Sequence, residues 1–111
     1  PAAPPASAAD QIKARLATYQ DRLQLTPAQQ EQLKPILEAD LEWLRQWHIR
    51  LQGEHSRRDR RQLLREARGH QGTVEKQIEP LLTAAQLKTW QQIRAELRAE
   101  LKTAYQKHTA S

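Results

Sequence analysis

A five-residue signature occurs twice in this chain, as Leu25-Thr26-Pro27-Ala28-Gln29 and as Leu82-Thr83-Ala84-Ala85-Gln86, and each copy opens a long segment with helical apolar spacing. Thr26 and Thr83 are suited to N-caps, and Gln29 and Gln86, three residues on, can reach back to the cap's own backbone N–H to close a capping box. Pro27 falls at the first helical position, where its missing N–H would have had no intrahelical partner anyway. In the second copy Leu82 and Leu87 are placed as a hydrophobic staple. The copies lie 57 residues apart, and the likeness continues past the caps: Leu33 matches Trp90, Ile36 matches Ile93 and Leu44 matches Leu101. The chain reads as two related halves.

Apolar spacing fills in the elements. Ile12, Leu16, Tyr19 and Leu23 share one face of a first helix that starts near Ser7 or Ala9 and ends before Thr26. A second helix is expected from Pro27 to about Gln52, roughly 39 Å long, with Leu33, Ile36, Leu37, Leu44, Trp47 and Leu51 on its stripe and a bend at Pro35. A third begins between Ser56 and Asp59, turns Leu63, Ala67, Val74 and Ile78 inward and ends by Pro80. Gly69 and Gly72 fall on its outer face at about 1 kcal/mol each relative to Ala, so two shorter helices are the alternative. The fourth runs from Ala84 to about Lys107 with Leu87, Trp90, Leu97, Leu101 and Tyr105 inward. No stretch alternates with period two. The expected fold is all-α, four helices in extended helical hairpins with a bent second helix.

At 111 residues the chain is one domain by length. Residues 1–8 read as a flexible Pro/Ala-rich leader, of the kind that follows a removed export signal or anchor, and 9–108 as a single helical domain. A chain that begins at Pro1 and lacks Met is expected to be a processed or trimmed product. No apolar run approaches the ~18 residues of a membrane span. With 38% hydrophobic residues and no Phe, a compact single core would be thin, and an elongated homodimer would bury more.

The net charge of +5 is concentrated. Between Arg45 and Arg68 stand eight Arg (45, 50, 57, 58, 60, 61, 65 and 68) against Glu54, Asp59 and Glu66, so this window holds the whole excess. Arg binds carboxylates and phosphates through a planar fork and stacks on aromatics. Trp43 and Trp47, one helical turn apart, adjoin the run. Trp43, Trp47 and Leu51 are therefore candidates for apolar contact, and Arg50, Arg57, Arg58, Arg60, Arg61 and Arg65 for charge contact, with an unfolded client drawn first by charge and then held by apolar surface. The competing reading makes both Trp core residues and the Arg run a solvated helix start.

The repeated signature resembles that of the LTxxQ-motif family of bacterial periplasmic proteins, the Spy/CpxP-like proteins, over roughly residues 16–105. The resemblance implies a cradle-shaped helical homodimer in the periplasm that holds unfolded or partly folded proteins without ATP or cofactor. It also implies, as an alternative, a regulator or sensor domain in envelope-stress or metal-stress signalling, partnered with a sensor kinase. Leu25, Thr26, Gln29, Leu82, Thr83 and Gln86 are its motif residues, and their expected role is structural.

Other chemistry has less support. His48 and His55 are weak metal candidates, since even on one continuous helix they would stand about 10.5 Å apart along the axis, too far for one ion. Asp40 falls inside the apolar stripe where the second copy has Leu97, and a buried carboxylate there requires an Arg or backbone donor. With no nucleophile beside a spaced His and acid and no Gly-rich phosphate loop, an enzyme is not expected. Non-specific nucleic-acid binding is the rival from another class, on a pI near 10, although Asp59 and Glu66 interrupt the Arg run and no helix-turn-helix spacing is apparent.

Overall fold

The computed structural model describes residues 8–53 and 55–109. They form α1 (Ala8–Leu23), α2 (Pro27–Leu51), α3 (Arg57–Ile78) and α4 (Ala84–Thr109), with one turn of 3-10 helix at Glu79–Leu81. There is no strand among the described residues, and each helix starts and stops within about two residues of its expected bounds. Apart from Ala8, the leader expected over 1–8 lies outside the described residues.

The helix starts follow from local chemistry. Thr26 accepts from the Gln29 N–H at 3.2 Å while Gln29 Oε1 accepts from the Thr26 N–H at 3.0 Å; Thr83 and Gln86 repeat the box at 3.1 and 3.0 Å. A third box, which the spacing Ser56-x-x-Asp59 also encodes, starts α3. α1 ends differently. Leu25 N–H bonds back to the Gln20 carbonyl and Gln24 N–H to that of Asp21, with Gln24 at φ 53°. That is a Schellman stop with glutamine where glycine is usual.

α3 runs unbroken past Gly69 and Gly72, so the two-helix alternative is set aside. A Cβ at either glycine would meet nothing within 4 Å, so both sit on the solvent face, while Leu63, Ala67, Val74 and Ile78 bury the opposite face and hold the helix together. α2 likewise continues through Pro35, which is exposed.

α1 packs on α2 and α4, and α2 on α3. The core draws on all four helices, from Leu16, Tyr19 and Leu23 through Leu33, Leu37, Leu41 and Trp47 to Leu63, Val74, Ile78, Trp90 and Leu101. The extents are 45 × 41 × 20 Å, and the short one is about two helix diameters. A radius of gyration of 15.3 Å exceeds the ~13 Å of a compact domain of this length. Every helix therefore keeps one face toward solvent.

Candidate functional site

The two signatures meet. Gln29 Nε2 donates to Gln86 Oε1 at 2.8 Å and to the Leu81 carbonyl at 3.1 Å; Gln86 Nε2 donates to Gln29 Oε1 at 3.0 Å and to the Leu23 carbonyl at 3.2 Å. Each amide thus caps its own helix and ties the α1–α2 junction to the α3–α4 junction. The motif residues form a clasp between halves, with Leu25 buried and Leu82 packed on the core.

A second polar cluster takes one residue from each helix. Asp40 Oδ1 accepts from Arg94 Nη2 at 2.8 Å and pairs with His70 Nε2 at 2.6 Å, and Arg94 Nη1 reaches Tyr19 Oη at 3.4 Å. The Asp40 side chain is 0% exposed and that of Arg94 4%. The Arg94 guanidinium lies 4.5 Å from the Trp90 ring centre, and Trp43 stacks on His70 at 3.9 Å. Burial by itself would raise the Asp40 carboxyl, but the bonds from His70 and Arg94 outweigh it and hold that carboxyl below its ordinary value. Burial pushes the Tyr19 hydroxyl up. The partner required for Asp40 is thus Arg94 from the other copy, with His70 beside it.

The expected contact residues separate into two groups. Trp47 is 1% exposed and Leu51 2%, and Trp47 Nε1 donates to the Leu63 carbonyl at 2.8 Å. Both are core residues, a correction to their expected place on the surface, because the stripe that marks them as apolar is the one α3 covers. Trp43 is half-buried with one face on His70. Two arginines of the run are committed to carboxylates: Arg45 to Glu42 within α2 at 2.7 Å and Arg50 to Glu66 of α3 at 2.8 Å. The Arg45 hydrogen bond lowers the Glu42 carboxyl to about 2.

Five of the six remaining arginines lie in the first half of the α3 helix, and Arg68 is exposed farther along it. Arg57, Arg58, Arg61 and Arg65 are exposed and Arg60 is half-buried; Arg65 donates to Gln62 at 2.9 Å. Arg57, Arg60 and Arg61 line an open cleft of about 450 Å³ with Tyr105 of α4. Leu64, one turn on from Arg60 and Arg61, is half-buried, and Ile49 on α2 is 50% exposed. The sequence reading passed over Leu64 and Ile49, although both fall off the core stripes of their helices, the one signal that marks an outward apolar residue.

His48 stands edge-on to Trp47, and the His55 ring bonds the Arg50 carbonyl. Among the described residues no group of three or more His, Cys, Asp or Glu is placed to hold a metal ion, and no helix is long and apolar enough to cross a membrane. Compared with protein-family profiles, curated proteins and solved structures, the chain gives no significant match. Class and site are thus defined by its own residues: an all-α chain of four helices whose two signature-bearing junctions are clasped by a glutamine pair, with an arginine-rich start to α3.

Proposed function

We propose that this chain holds unfolded or partly folded protein, without ATP, cofactor or catalysis, as a homodimer in the bacterial periplasm. The observation that carries the reading is the patch where Arg57, Arg58, Arg61 and Arg65 stand exposed on the helix that carries half-buried Leu64, with half-buried Tyr105 of α4 lining the same cleft as Arg57 and Arg61. Charge of one sign attracts acidic segments over about a Debye length, ~8 Å at physiological salt, and apolar side chains retain what arrives. A slab 20 Å thick supports the reading too, since it offers long helix faces to a client. The repeated LTxxQ signature supports the periplasmic setting.

The test is suppression of aggregation of a chemically unfolded client, titrated with the chain at low and moderate salt. Suppression near a stoichiometric ratio, with a shift to about tenfold more protein for the Arg57→Glu, Arg58→Glu, Arg61→Glu triple variant, is the expected result. No suppression at large excess would sink the reading in favour of a regulator with a single folded partner. Tight binding to any DNA that fades steeply with salt, without suppression, would replace it with the nucleic-acid reading.

A further inference from the structure

Five arginines of α3 share one side of the helix. At about 100° per residue, Arg57, Arg58, Arg61, Arg65 and Arg68 fall within an arc of roughly 100°, centred roughly 140° away from the buried face of Leu63, Ala67, Val74 and Ile78. All five are exposed. From Arg57 to Arg68 the arc runs about 16 Å along the helix, and it ends at half-buried Glu75, about 10 Å farther on. Arg60 falls outside it, half-buried in the cleft with Tyr105.

The side chains of this arc repel one another. Residues three and four apart are neighbours on a helix surface, and Arg57 with Arg61, Arg58 with Arg61, Arg61 with Arg65 and Arg65 with Arg68 all have that spacing. The two acids between Arg57 and Arg68 do not interleave with them. Asp59 and Glu66 stand three or four residues from none of the five; Asp59 closes the cap on Ser56, and Glu66 holds Arg50 of α2. Among the described residues no carboxylate pairs with any arginine of the arc. Arg57 and Arg58 also occupy the first turn, where the positive end of the helix dipole disfavours a cation. Spacing, pairing and position all work against the helix, and a sequence breaks its local rules in this way where it serves a binding face.

The shape of the array selects the partner. An extended polyanion is a line, whereas these guanidiniums spread both along the helix and across its outward side. Single-stranded nucleic acid needs aromatic faces to stack on, and the arc has none: Trp47 and Trp90 are buried, and Trp43 stacks on His70. A helix seated in the major groove of a duplex has its centre on base edges and its flanks toward the two backbones, but the centre of this arc is itself arginine, Arg61. A plane of phosphates meets every side chain within about 50° of the outward direction, and guanidinium forks match phosphate oxygens. Such a plane is the surface of an anionic phospholipid bilayer. From Arg57 to Gly72 the arc carries no apolar side chain, and no described helix is long and apolar enough to cross a membrane, so the contact is electrostatic and stays at the headgroups.

We propose that the outward face of α3 docks on an anionic phospholipid bilayer, with the helix lying flat and Arg57, Arg58, Arg61, Arg65 and Arg68 on the lipid phosphates. The docking stands on this array whether or not the chain holds unfolded protein. Four of the five arginines belong to the patch assigned to clients, so a bilayer and an acidic client exclude each other there.

The experiment floats the full chain with phosphatidylcholine vesicles, with and without about one third phosphatidylglycerol, at low and moderate salt. The chain should rise only with the anionic vesicles and be released steeply by salt. Each arginine at the surface is worth about a fivefold factor in partitioning, so the triple variant Arg57→Gln, Arg61→Gln, Arg65→Gln should bind about a hundredfold more weakly. The triple Lys13→Gln, Lys88→Gln, Lys102→Gln removes the same charge from exposed positions elsewhere and should weaken binding less than about fivefold. The arginine triple also relieves repulsion, so its melting temperature should match or exceed that of the native chain. Equal losses in the two triples mean attraction by net charge alone, an arginine triple that melts lower means that the arginines serve the fold, and binding that ignores salt or the anionic lipid means insertion; each overturns the proposal. Tighter binding to duplex DNA than to vesicles of equal phosphate content replaces it with a nucleic-acid face. Client aggregation suppressed without vesicle binding overturns the docking and leaves the holding function standing. Vesicle binding without suppression overturns the holding function alone.

Discussion

Replacing Arg94 by Leu removes one of the two partners of a carboxylate with 0% side-chain exposure. Tyr19 and Trp90 can close around the leucine, but Asp40 is left buried with His70 alone. Deleting one member of a buried ion pair costs about 3–5 kcal/mol, because the survivor keeps its desolvation penalty. At an unfolding entropy of ~2.1 cal/mol/K per residue, a chain of 111 residues loses about 13–21 °C in melting temperature. The double variant Asp40→Leu, Arg94→Leu should recover most of that, since well-packed apolar residues replace buried pairs at little cost, and leucine already occupies the matching positions of the other copy, Leu97 and Leu37. The dependence on pH carries a sign. In the native chain the Asp40 carboxyl is lowered, so its stabilisation is complete above the unfolded value of 3.8 and falls away below it. In Arg94→Leu the carboxyl keeps the bond from His70 but loses both Arg94 contributions that offset burial, so it moves up from its native position, and the deficit is largest near neutrality and shrinks as acid neutralises Asp40. The two proteins should converge below about pH 4. Thermal melts by circular dichroism from pH 7 to 3.5 measure this; a single variant within 1 kcal/mol of the native chain at pH 7, or a double variant as unstable as the sum of the singles, would refute the reasoning.

Other perturbations separate the clasp, the caps and the backbone. Thr26→Ala should cost about 1 kcal/mol through one lost cap, whereas Gln86→Ala, which also takes one of the two acceptors of Gln29 Nε2 and the side-chain donor of the Leu23 carbonyl, should cost about 2–4 kcal/mol; equal losses in urea unfolding would show that the inter-half bonds contribute nothing. Gln24→Gly relieves a side chain at φ 53° and should stabilise by about 0.5–1 kcal/mol, read as a raised urea midpoint at constant slope. Gly69→Ala places a methyl in open space and should add up to about 1 kcal/mol by helix propensity; a loss would mean that the α3 solvent face is covered. Arg22→Ala breaks the 2.8 Å bridge to Glu96 between exposed side chains, and a melting shift within that expected for 1 kcal/mol is the outcome for a surface pair.

Much of this fold was legible because its signals are local. A Thr with Gln three residues later caps a helix whatever surrounds it, and leucines spaced by three and four name the buried face, so four helices and nearly all of the core followed from spacing. What spacing does not carry is which neighbour covers a face. Trp47 and Leu51 are apolar in any arrangement; only the docking of α3 decides that they are core. The arginine run was visible as a count, but Glu42 commits Arg45 within α2 and Glu66 commits Arg50 from α3, and the second of these, a pairing across helices, is not written in composition.

The 57-residue offset carried more than its caps suggested. In the structure Gln29 and Gln86 bond each other, the arrangement in which two copies of one cap satisfy both their own helix and the other's junction. The ion pair departs from that likeness in a regular way: Asp40 stands where the second copy has Leu97, and Arg94 where the first has Leu37. One copy supplies the acid and the other the base, while the two leucines are both buried. An acid in both copies would have buried like charges, and leucine in both would have left the interface apolar and indifferent to partner. Opposite charges on the two halves join α2 to α4 through Asp40 and Arg94, a bond that two copies of α2 could not make, so the polar substitution that looks like a defect in the stripe ties one half of the chain to the other.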